Sequence, residues 1–478
     1  MGETIRADLC VIGAGSGGLS VAAGAARLGL SVVLFERARM GGDCLNSGCV
    51  PSKALLAAAA AATGAARAAA LGIDRAPASV DFARVRAHVH DVIAQIAPHD
   101  SVERFEGLGV RVIPRHARFV GPREVAGDDG TRVVARRFVV ATGSRAAVPP
   151  IPGLDTVPYE TNETIFERAT LPRHLLVVGG GPIGMELAQA FRRLGSAVTV
   201  VEAQRCLGND DPALATVVRD ALVAEGVAIH EGTRVGRVER GADGGIALAV
   251  AGPDGAERRL AGSDILVAVG RRPNVEDLGL AAAGIATGPR GLVVDRRLRT
   301  TNRRVWAVGD VAGGLQFTHV AGWHAGLVVR NALFRLPVDA TPRAVPWVTY
   351  TDPELAHVGL TEAQARARHG DRVRVTVAPF ADNDRARAER RTAGMVKVVA
   401  GRAGRILGCS IAGAHAGELI QPWVLALSRG LKLSAMAAVV APYPTLGEAG
   451  KRAAGAWYED ALFSPTTRAL VRLLRLLP

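Results

Sequence analysis

Residues 7–18 read ADLCVIGAGSGG, an apolar run followed by a glycine-rich turn. The pattern predicts a buried strand over 7–12 and a helix over 19–29, with glycines in Gly-x-Gly-x-x-Gly spacing between them. These glycines are Gly13, Gly15 and Gly18. A second predicted strand, 31–35, ends in Glu36. The glycines would let a pyrophosphate approach the helix N-terminus, and the acid would bind a ribose hydroxyl. The stretch therefore predicts a Rossmann-like dinucleotide-binding fold.

The same pattern recurs in the middle of the chain. An apolar strand over 175–178 leads to a second glycine turn, and another strand over 197–201 ends in Glu202. The glycines of this turn are Gly179, Gly181 and Gly184. In both copies the acid follows the first glycine by 23 positions. Unless one copy is degenerate, the chain binds two dinucleotides. FAD with a nicotinamide cofactor is the economical pair, since a flavin passes electrons from NAD(P)H to a disulfide.

Two cysteines lie just behind the first glycine turn, in residues 41–53, which read GGDCLNSGCVPSK. Cys44 and Cys49 are separated by four residues, and the glycines around them let the backbone bend tightly. Beside a nucleotide site, this pair predicts a redox-active disulfide. The alternatives are two buried thiols or half of a metal site. The other cysteines are scattered singly along the chain and complete no zinc site, so no resident metal is predicted.

The composition is that of a globular enzyme with a basic excess. The chain has 478 residues, enough for about three domains, and a formal net charge of +13. Arg carries almost all of the positive charge, and no long block of like charges occurs. A nucleic-acid-binding role is therefore not predicted. There is no signal peptide and no apolar run of membrane-spanning length, so a cytoplasmic protein is expected.

Further strand patterns follow each glycine turn. Strands over 138–143 and 265–270 each end at a glycine and are expected to be chain crossovers near the ends of the two nucleotide folds. A buried strand over 305–310 ends in Asp310, whose carboxylate would accept a hydrogen bond from a polyol. A helix is predicted over about 81–107, and a β-meander over 231–264 with turns at 241–245 and 252–255.

From about residue 341 the composition changes, and no glycine fingerprint appears, so a third, α+β domain is predicted. Its predicted elements are strands 345–350, 372–378, 395–400 and 405–411 and helices 361–369 and 416–429. The last segment, 464–478, predicts a capped helix with arginines on one face. We expect this helix to pack on its own protein rather than on a membrane.

Together the motifs resemble the class I pyridine nucleotide-disulfide oxidoreductases, a family that includes dihydrolipoamide dehydrogenase, glutathione reductase and mercuric reductase. The resemblance rests on the motif at 41–53, both glycine turns, the segments 141–143 and 308–310, and DPE followed by VGLTE within 352–362. It implies an α/β protein with two Rossmann-like domains, for FAD and NAD(P), and a C-terminal α+β dimerisation domain. The implied domains are 1–155 (FAD, first part), 156–275 (NAD(P)), 276–340 (FAD, second part), 341–460 (dimerisation) and 461–478 (amphipathic helix).

The resemblance also implies residue roles, and a homodimer whose active site borrows residues from the partner subunit. Cys49 would lie against the flavin, and Cys44 would meet the substrate. Lys53 and Glu186 would form an ion pair near the reactive flavin nitrogen. The residues implied for FAD are Gly13, Gly15, Gly18, Glu36, Gly42, Lys53, Ala141, Thr142, Gly143 and Asp310. Those implied for the nicotinamide cofactor are Gly179, Gly181, Gly184, Glu202 and Gly270.

The acid of the second copy favours NADH over NADPH. The carboxylate of Glu202 would accept a hydrogen bond from the ribose 2′-hydroxyl and would repel a 2′-phosphate. Arg205, close by in the sequence, leaves NADPH open as the alternative.

Residues 441–448, which read APYPTLGE, depart from the family pattern. Disulfide-reducing members carry a His before Pro-Thr, and its imidazole returns a proton to the thiol. Tyr443 takes that place here, whereas the following acid, Glu448, is present. A phenol with a pKa of about 10 is a poor base at neutral pH, which weakens the dihydrolipoamide and glutathione interpretations. Mercuric reductases resemble the chain at this Tyr, but their C-terminal cysteine pair is absent here.

The predicted function is an FAD-dependent NAD(P)H oxidoreductase that passes electrons to the Cys44–Cys49 disulfide and on to a small-molecule acceptor. An unknown small disulfide, quinone or thiol-reactive acceptor ranks first, reduction of mercuric ion second and oxidation of dihydrolipoamide third. A function of another class, a redox sensor or peripheral electron-transfer partner, is motivated by the net charge and the basic C-terminal helix.

Overall fold

The computed structural model of the chain describes residues 3–74, 76, 79–241 and 244–477. Within these residues, the three largest sheets have seven, five and four strands. The seven-stranded and four-stranded sheets each contain one of the two predicted βαβ units, and the five-stranded sheet lies in the last third of the chain.

The first sheet forms around the predicted strand 7–12. Its region contains, in chain order, β1 (Thr4–Ile12), α1 (Ser16–Arg27), β2 (Val32–Phe35), α2 (Gly42–Asn46), α3 (Cys49–Ala62), α4 (Gly64–Ala70), α5 (Phe82–Ile96), α6 (Val102–Gly107), β3 (Val110–Ile113), β4 (Ala117–Gly121), β5 (Glu124–Gly127), β6 (Arg132–Val140) and β7 (Ser144–Ala146). The strand order is β3-β2-β1-β6-β5-β4, with β3, β2, β1 and β6 parallel. Neighbouring residues Leu9, Cys10 and Val11 are all buried, as expected of a parallel strand covered on both faces.

The single helix predicted over 81–107 is wrong, because the segment is broken into three pieces. After α5 ends at Ile96, residues Ala97–Asp100 form one 3₁₀ turn, and α6 then begins. Pro98 has no backbone N–H to continue the helix. The side chain of Ser101 accepts a hydrogen bond from the backbone of Arg104 and caps the new helix.

The second sheet repeats the arrangement. Its region contains β8 (His174–Val178), α7 (Pro182–Leu194), β9 (Ala197–Val201), α8 (Pro212–Ala224), β10 (Ala228–His230), β11 (Arg234–Arg240), β12 (Ile246–Ala251), β13 (Glu257–Gly262), β14 (Asp264–Val267) and β15 (Arg271–Pro273). Four strands are parallel in the order β10-β9-β8-β14. The predicted meander is the antiparallel set β11-β12-β13. The turn predicted at 241–245 includes residues 242 and 243, which lie outside the described residues.

The chain then returns to the first sheet. This segment contains β16 (Thr287–Gly288), β17 (Gly291–Leu292), β18 (Val305–Ala307) and α9 (Thr318–Val328). β18 lies parallel to the second half of β6, so the predicted strand ending in Asp310 borders the first dinucleotide fold. The crossovers are adjacent, because β7 pairs antiparallel with β15.

The last third of the chain forms an antiparallel sheet in the order β19-β20-β23-β22-β21. Its elements are β19 (Pro346–Thr349), β20 (Glu354–Gly359), α10 (Glu362–His369), β21 (Arg374–Pro379), α11 (Asp384–Ala388), β22 (Met395–Ala400), β23 (Ile406–Gly413), α12 (Ala416–Leu419), α13 (Gln421–Ser428), α14 (Leu433–Ala437), α15 (Glu448–Ala456), α16 (Glu459–Leu462) and α17 (Pro465–Leu474). β20 was not predicted, and the helix predicted over 416–429 is two helices. Pro422 stands in the first turn of the second one.

One hydrophobic core ties α3 to the rest of the molecule. Ala54 and Leu55 of α3 belong to a cluster that includes Leu187 of α7 and Leu355 of β20. The helix that begins at Cys49 is therefore held against both the second dinucleotide fold and the third domain.

The described part of the chain does not bury the C-terminal helix, contrary to the expectation that it packs on its own protein. No residue of α17 is buried. Among the described residues, no helix combines the length and the hydropathy that a membrane span requires.

Candidate functional site

A continuous cleft of ≈ 2170 Å³ runs along both glycine turns and past the cysteine pair. The predicted site residues that line it are Gly13, Gly15, Glu36, Gly42, Cys44, Cys49, Lys53, Ala141, Thr142, Gly143, Gly179, Gly181, Glu186, Glu202, Gly270 and Asp310. Gly18, Gly184, Tyr443 and Glu448 are the predicted residues outside its lining.

The glycines of the first turn are required by close backbone contacts. Gly13 has a φ of +103°, and a Cβ there would lie 2.4 Å from the carbonyl oxygen of Ala141. A Cβ on Gly18 would lie 1.9 Å from the carbonyl oxygen of Gly13. Gly18 therefore lets α1 pack closely on the turn, which explains why it does not line the cleft.

Glu36 fixes the far side of the first turn. Its two carboxylate oxygens accept hydrogen bonds from the backbone amides of Ala14 and Ala38, both at 2.7 Å. The carboxylate is thus held at the cleft wall with lone pairs left for a ribose hydroxyl.

The second turn has the same construction. Gly179 has a φ of +111°, and a Cβ there would lie 2.4 Å from the carbonyl oxygen of Ala268. A Cβ on Gly184 would lie 2.0 Å from the carbonyl oxygen of Gly179, so this glycine serves helix packing. At Gly181, by contrast, a Cβ would meet nothing within 4 Å. The space directly before the N-terminus of α7 is open, as a phosphate site there requires.

Glu202 repeats the geometry of Glu36. Its carboxylate accepts from the backbone amides of Gly180 at 2.7 Å and Gln204 at 2.8 Å. The two acids therefore hold equivalent positions in the two dinucleotide folds.

The cysteine pair stands at the start of α3. Cys44 lies in the short helix α2, and Cys49 is the first residue of α3, where the helix N-terminus favours a thiolate. Both cysteines are reduced in this structure, and the Sγ of Cys49 lies 3.3 Å from the hydroxyl of Thr318. Sequence reasoning missed Thr318, because it lies 269 positions away from Cys49 along the chain.

The two thiols differ in their acidity. A hydrogen bond from the Cys44 thiol lowers the pKa of Cys49 to about 6, and the Thr318 hydroxyl and the charge of Lys53 act in the same direction. The same contact with Cys49, together with burial, raises the pKa of Cys44. In the reduced pair the proton is thus favoured on Cys44 and the negative charge on Cys49.

A three-residue contact joins α3, α7 and the third domain beside the cysteines. The Nζ of Lys53 lies 2.8 Å from one carboxylate oxygen of Glu186, whose side chain is 7% exposed. The other carboxylate oxygen accepts from the backbone amide of Tyr350 at 2.9 Å. The ammonium of Lys53 also lies 4.3 Å from the centroid of the Tyr350 ring. The predicted ion pair is present, and Tyr350 is a further contact that sequence reasoning missed.

A second network surrounds Asp310. Its carboxylate accepts a hydrogen bond from the hydroxyl of Ser144 and lies 3.7 Å from the Nε of Arg271. Arg271 also pairs with Asp43 of the cysteine motif at 3.1 Å. Burial raises the pKa of Asp310, and the hydroxyl and the guanidinium oppose that effect. Arg271 was missed although it follows a predicted strand end, where site residues of parallel sheets collect.

The two chain crossovers are joined to each other by hydrogen bonds between Thr142 and Asn274. The hydroxyl of Thr142 donates to the backbone carbonyl of Asn274 at 2.7 Å, and the Asn274 amide donates to the carbonyl of Thr142 at 2.9 Å. Gly143 and Gly270 both have positive φ, +66° and +135°, where the two strands turn out of their sheets.

Tyr443 and Glu448 are not brought to the cysteines within one chain. Tyr443 is 72% exposed, and its hydroxyl donates to Asp384 at 3.1 Å, which raises the pKa of the phenol. Glu448 accepts from the backbone of Thr445 at 3.2 Å and begins α15. Both residues lie on the third domain, away from the cleft of the same chain.

Two family models account for most of the chain. The model described as pyridine nucleotide-disulphide oxidoreductase matches residues 7–325. The chain belongs to this family. The family's dimerisation domain matches residues 345–454.

Members of the family with different substrates are similar to this chain. A mercuric reductase of Streptomyces lividans is 38% identical over 460 residues, which is 95% of this chain and 96% of that protein. A dihydrolipoyl dehydrogenase of Thermus scotoductus is 37% identical over 469 residues, which is 95% of this chain and 98% of that protein.

The fold also matches a solved structure of the family. The HOCl-induced flavoprotein disulfide reductase RclA from Escherichia coli superposes with a TM-score of 0.84 at 29% identity. The match covers 94% of this chain and 99% of RclA.

Family membership confirms the predicted fold class, enzyme class and cofactor pair. The protein is an FAD-dependent pyridine nucleotide-disulfide oxidoreductase that uses NAD(P)H. The matched dimerisation domain supports a homodimer. The domain boundaries and the roles of individual site residues stay predictions.

Proposed function

We propose that the protein passes two electrons from NADH through FAD to the Cys44–Cys49 disulfide and from there to a small-molecule acceptor. One observation carries this proposal. A single cleft holds both glycine turns and the cysteine pair, and the Lys53–Glu186 contact joins the cysteine helix to the second dinucleotide fold.

The cleft fits the two cofactors. Close backbone contacts at Gly13 and Gly179 shape the two glycine turns, and the open space at Gly181 leaves room for a phosphate. FAD would lie along Gly13, Gly15, Gly18, Glu36, Gly42, Lys53, Ala141, Thr142, Gly143 and Asp310. The nicotinamide cofactor would lie along Gly179, Gly181, Gly184, Glu202 and Gly270. Bound FAD supplies the two-electron step between a nicotinamide and a disulfide.

The residues around the cysteine pair then determine where the proton and the negative charge lie after the disulfide is reduced. Two electrons and one proton convert the disulfide to a Cys44 thiol and a Cys49 thiolate. Lys53 holds positive charge beside Cys49, and the Thr318 hydroxyl hydrogen-bonds its sulfur, so the thiolate is stabilised. Cys44 is left to react with the acceptor.

NADH is the proposed donor because of the groups around Glu202. Arg205, a candidate for a 2′-phosphate, donates instead to the backbone carbonyls of Gly208 at 3.3 Å and Asp210 at 3.1 Å. The ratio of kcat/KM for NADH and NADPH tests this choice, and a strong NADPH preference would overturn it.

The acceptor is proposed to be one that needs no proton from a histidine. Tyr443 replaces the expected imidazole, and its hydrogen bond to Asp384 raises the phenol pKa further from neutrality. This supports a thiol-reactive compound or a quinone ahead of a disulfide such as lipoamide. Mercuric ion is the second candidate, since soft thiolates bind it and a mercuric reductase is 38% identical to this chain.

A substrate screen tests the proposal. Hg(II), lipoamide, glutathione disulfide and quinones would be compared on wild type, Cys44→Ser and Tyr443→His. We expect wild type to reduce at least one acceptor, and Cys44→Ser to lose that activity. Reduction of lipoamide is expected only in Tyr443→His. Turnover that Cys44→Ser leaves unchanged for every acceptor would show that electrons leave directly from the flavin.

A further inference from the structure

The segment that follows the third domain has a surface that the proposed function does not use. Residues 464–477 form α17 and its C-terminal turn, beyond residue 454, where the match to the family's dimerisation domain ends. Ser464 caps the helix by accepting a hydrogen bond from the backbone of Thr467. The helix is therefore locally stabilised although no residue in it is buried.

The side chains of α17 are sorted by face. At about 100° per residue, Leu470, Leu473 and Leu474 share one side, whereas Arg468 and Arg472 lie on the opposite side. All three leucines are at least half exposed, with Leu473 at 62%. Two further exposed apolar residues, Leu462 and Phe463, immediately precede the helix. An apolar stripe of this kind costs free energy in water and indicates a surface that is covered in use.

The charge of the segment indicates what covers it. Residues 464–477 contain three arginines and no acidic residue, in a chain of net charge +13. The same segment of a second copy would bring three more arginines to the contact, so like charges would oppose it. An anionic surface would neutralise these arginines while the leucines leave water.

We propose that α17 docks on an anionic lipid surface. The helix would lie in the plane of the membrane, with the leucines among the acyl chains and the arginines near the phosphate groups. The protein would then be a peripheral membrane enzyme, held by a helix that lies outside the catalytic cleft.

Flotation of the purified holoenzyme with vesicles tests the proposal. Wild type is expected to bind vesicles of mixed phosphatidylglycerol and phosphatidylcholine at low salt, and to lose binding to pure phosphatidylcholine or at high salt. Deletion of 464–478 is expected to abolish binding and to leave NADH oxidation unchanged. No binding by wild type, or equal binding by the deletion variant, would overturn the proposal.

Two variants that leave the charge unchanged test whether vesicle binding depends on the leucine face of α17. Leu470→Ser with Leu473→Ser is expected to weaken vesicle binding by about tenfold or more. Val471→Ser removes an equally exposed side chain from the other side of the same helix and should change binding by less than about threefold. Equal effects of both changes would contradict docking through the leucine face.

Analytical ultracentrifugation of wild type and the deletion variant tests the alternative that a second copy of the chain packs on α17. The proposal expects both to sediment as the same oligomer. A smaller species after deletion would show that a second copy covers α17, and would overturn lipid docking.

Discussion

The pKa of the Cys49 thiol is lowered by hydrogen bonds and charges from neighbouring side chains. The largest contribution to its lowered pKa is the hydrogen bond from Cys44, followed among the favourable contacts by Thr318 and Lys53. The pair is thus asymmetric before any cofactor or substrate is considered. This asymmetry determines which sulfur carries charge and which carries the proton.

The asymmetry can be measured in single-cysteine variants. In Cys44→Ser a hydroxyl still donates to Cys49, whereas in Cys44→Ala the donor is lost. We expect the thiolate–flavin absorbance band of Cys44→Ala to appear with a midpoint at least about 1 pH unit above that of Cys44→Ser. In both variants the band should disappear as pH falls through the midpoint, because the thiolate is protonated. Equal midpoints would show that Cys44 does not tune Cys49.

Tyr350 contributes to the position of Lys53 through its ring and to that of Glu186 through its backbone. Tyr350→Phe keeps both contacts, whereas Tyr350→Ala removes the ring that faces the ammonium. A cation–π contact of about 0.5–1 kcal/mol corresponds to a two- to fivefold effect. Stopped-flow flavin reduction by NADH should therefore be slowed by about this factor in Tyr350→Ala and little changed in Tyr350→Phe. Equal slowing in both would point to the hydroxyl instead.

At the scale of elements, the βαβ units were predictable because their glycines and acids follow local rules. Gly13 and Gly18 are required by contacts within their own turn and with the neighbouring strand. The breaks in the predicted helices were also signalled locally, by Pro98 and Pro422.

Contacts between distant elements could not be predicted from local pattern. Thr318 reaches Cys49 from α9, and Tyr350 reaches Glu186 from the end of β19. Arg271 reaches Asp43 across the two dinucleotide folds. The sequence spacing of these pairs predicts no contact, because only tertiary packing brings the residues together.

The Lys53–Glu186 pair links α3 to α7, so its loss should weaken that junction. Lys53→Met leaves the nearly buried carboxylate of Glu186 without its cation, at a cost of about 1–3 kcal/mol. We expect a lower Tm for flavin release in Lys53→Met. Addition of Glu186→Gln should restore part of the loss, since the remaining side chain is uncharged. A double variant no more stable than Lys53→Met would contradict this account.

At the scale of the whole molecule, two of the proposed catalytic residues lie outside the cleft of their own chain. Tyr443 and Glu448 lie on the third domain, outside the cleft that holds the cysteines. The matched dimerisation domain supports a homodimer, in which these residues are expected to face the Cys44 of the partner subunit. The expectation of a shared site comes from the family resemblance. The structure of one chain adds that Tyr443 and Glu448 do not line that chain's own cleft.

Subunit mixing tests this arrangement. Cys44→Ser and Glu448→Ala should each be inactive or weakly active alone. If the site is shared, coexpression in equal amounts makes half of the dimers mixed, and each mixed dimer has one intact site. Activity should then recover to about one quarter of wild type. Activity no greater than the mean of the two variants alone would place both groups in the same subunit's site.

The path of electrons through the cysteine pair is tested most directly by differential thiol labelling. The air-oxidised holoenzyme would be alkylated under denaturing conditions, before and after anaerobic reduction with NADH, and mapped by mass spectrometry. We expect Cys44 and Cys49 to be protected before reduction and both labelled after it, with labelling of Cys10, Cys206 and Cys409 unchanged. Labelling of Cys44 and Cys49 that is the same with and without NADH, in enzyme whose flavin is reduced, would contradict the proposed relay.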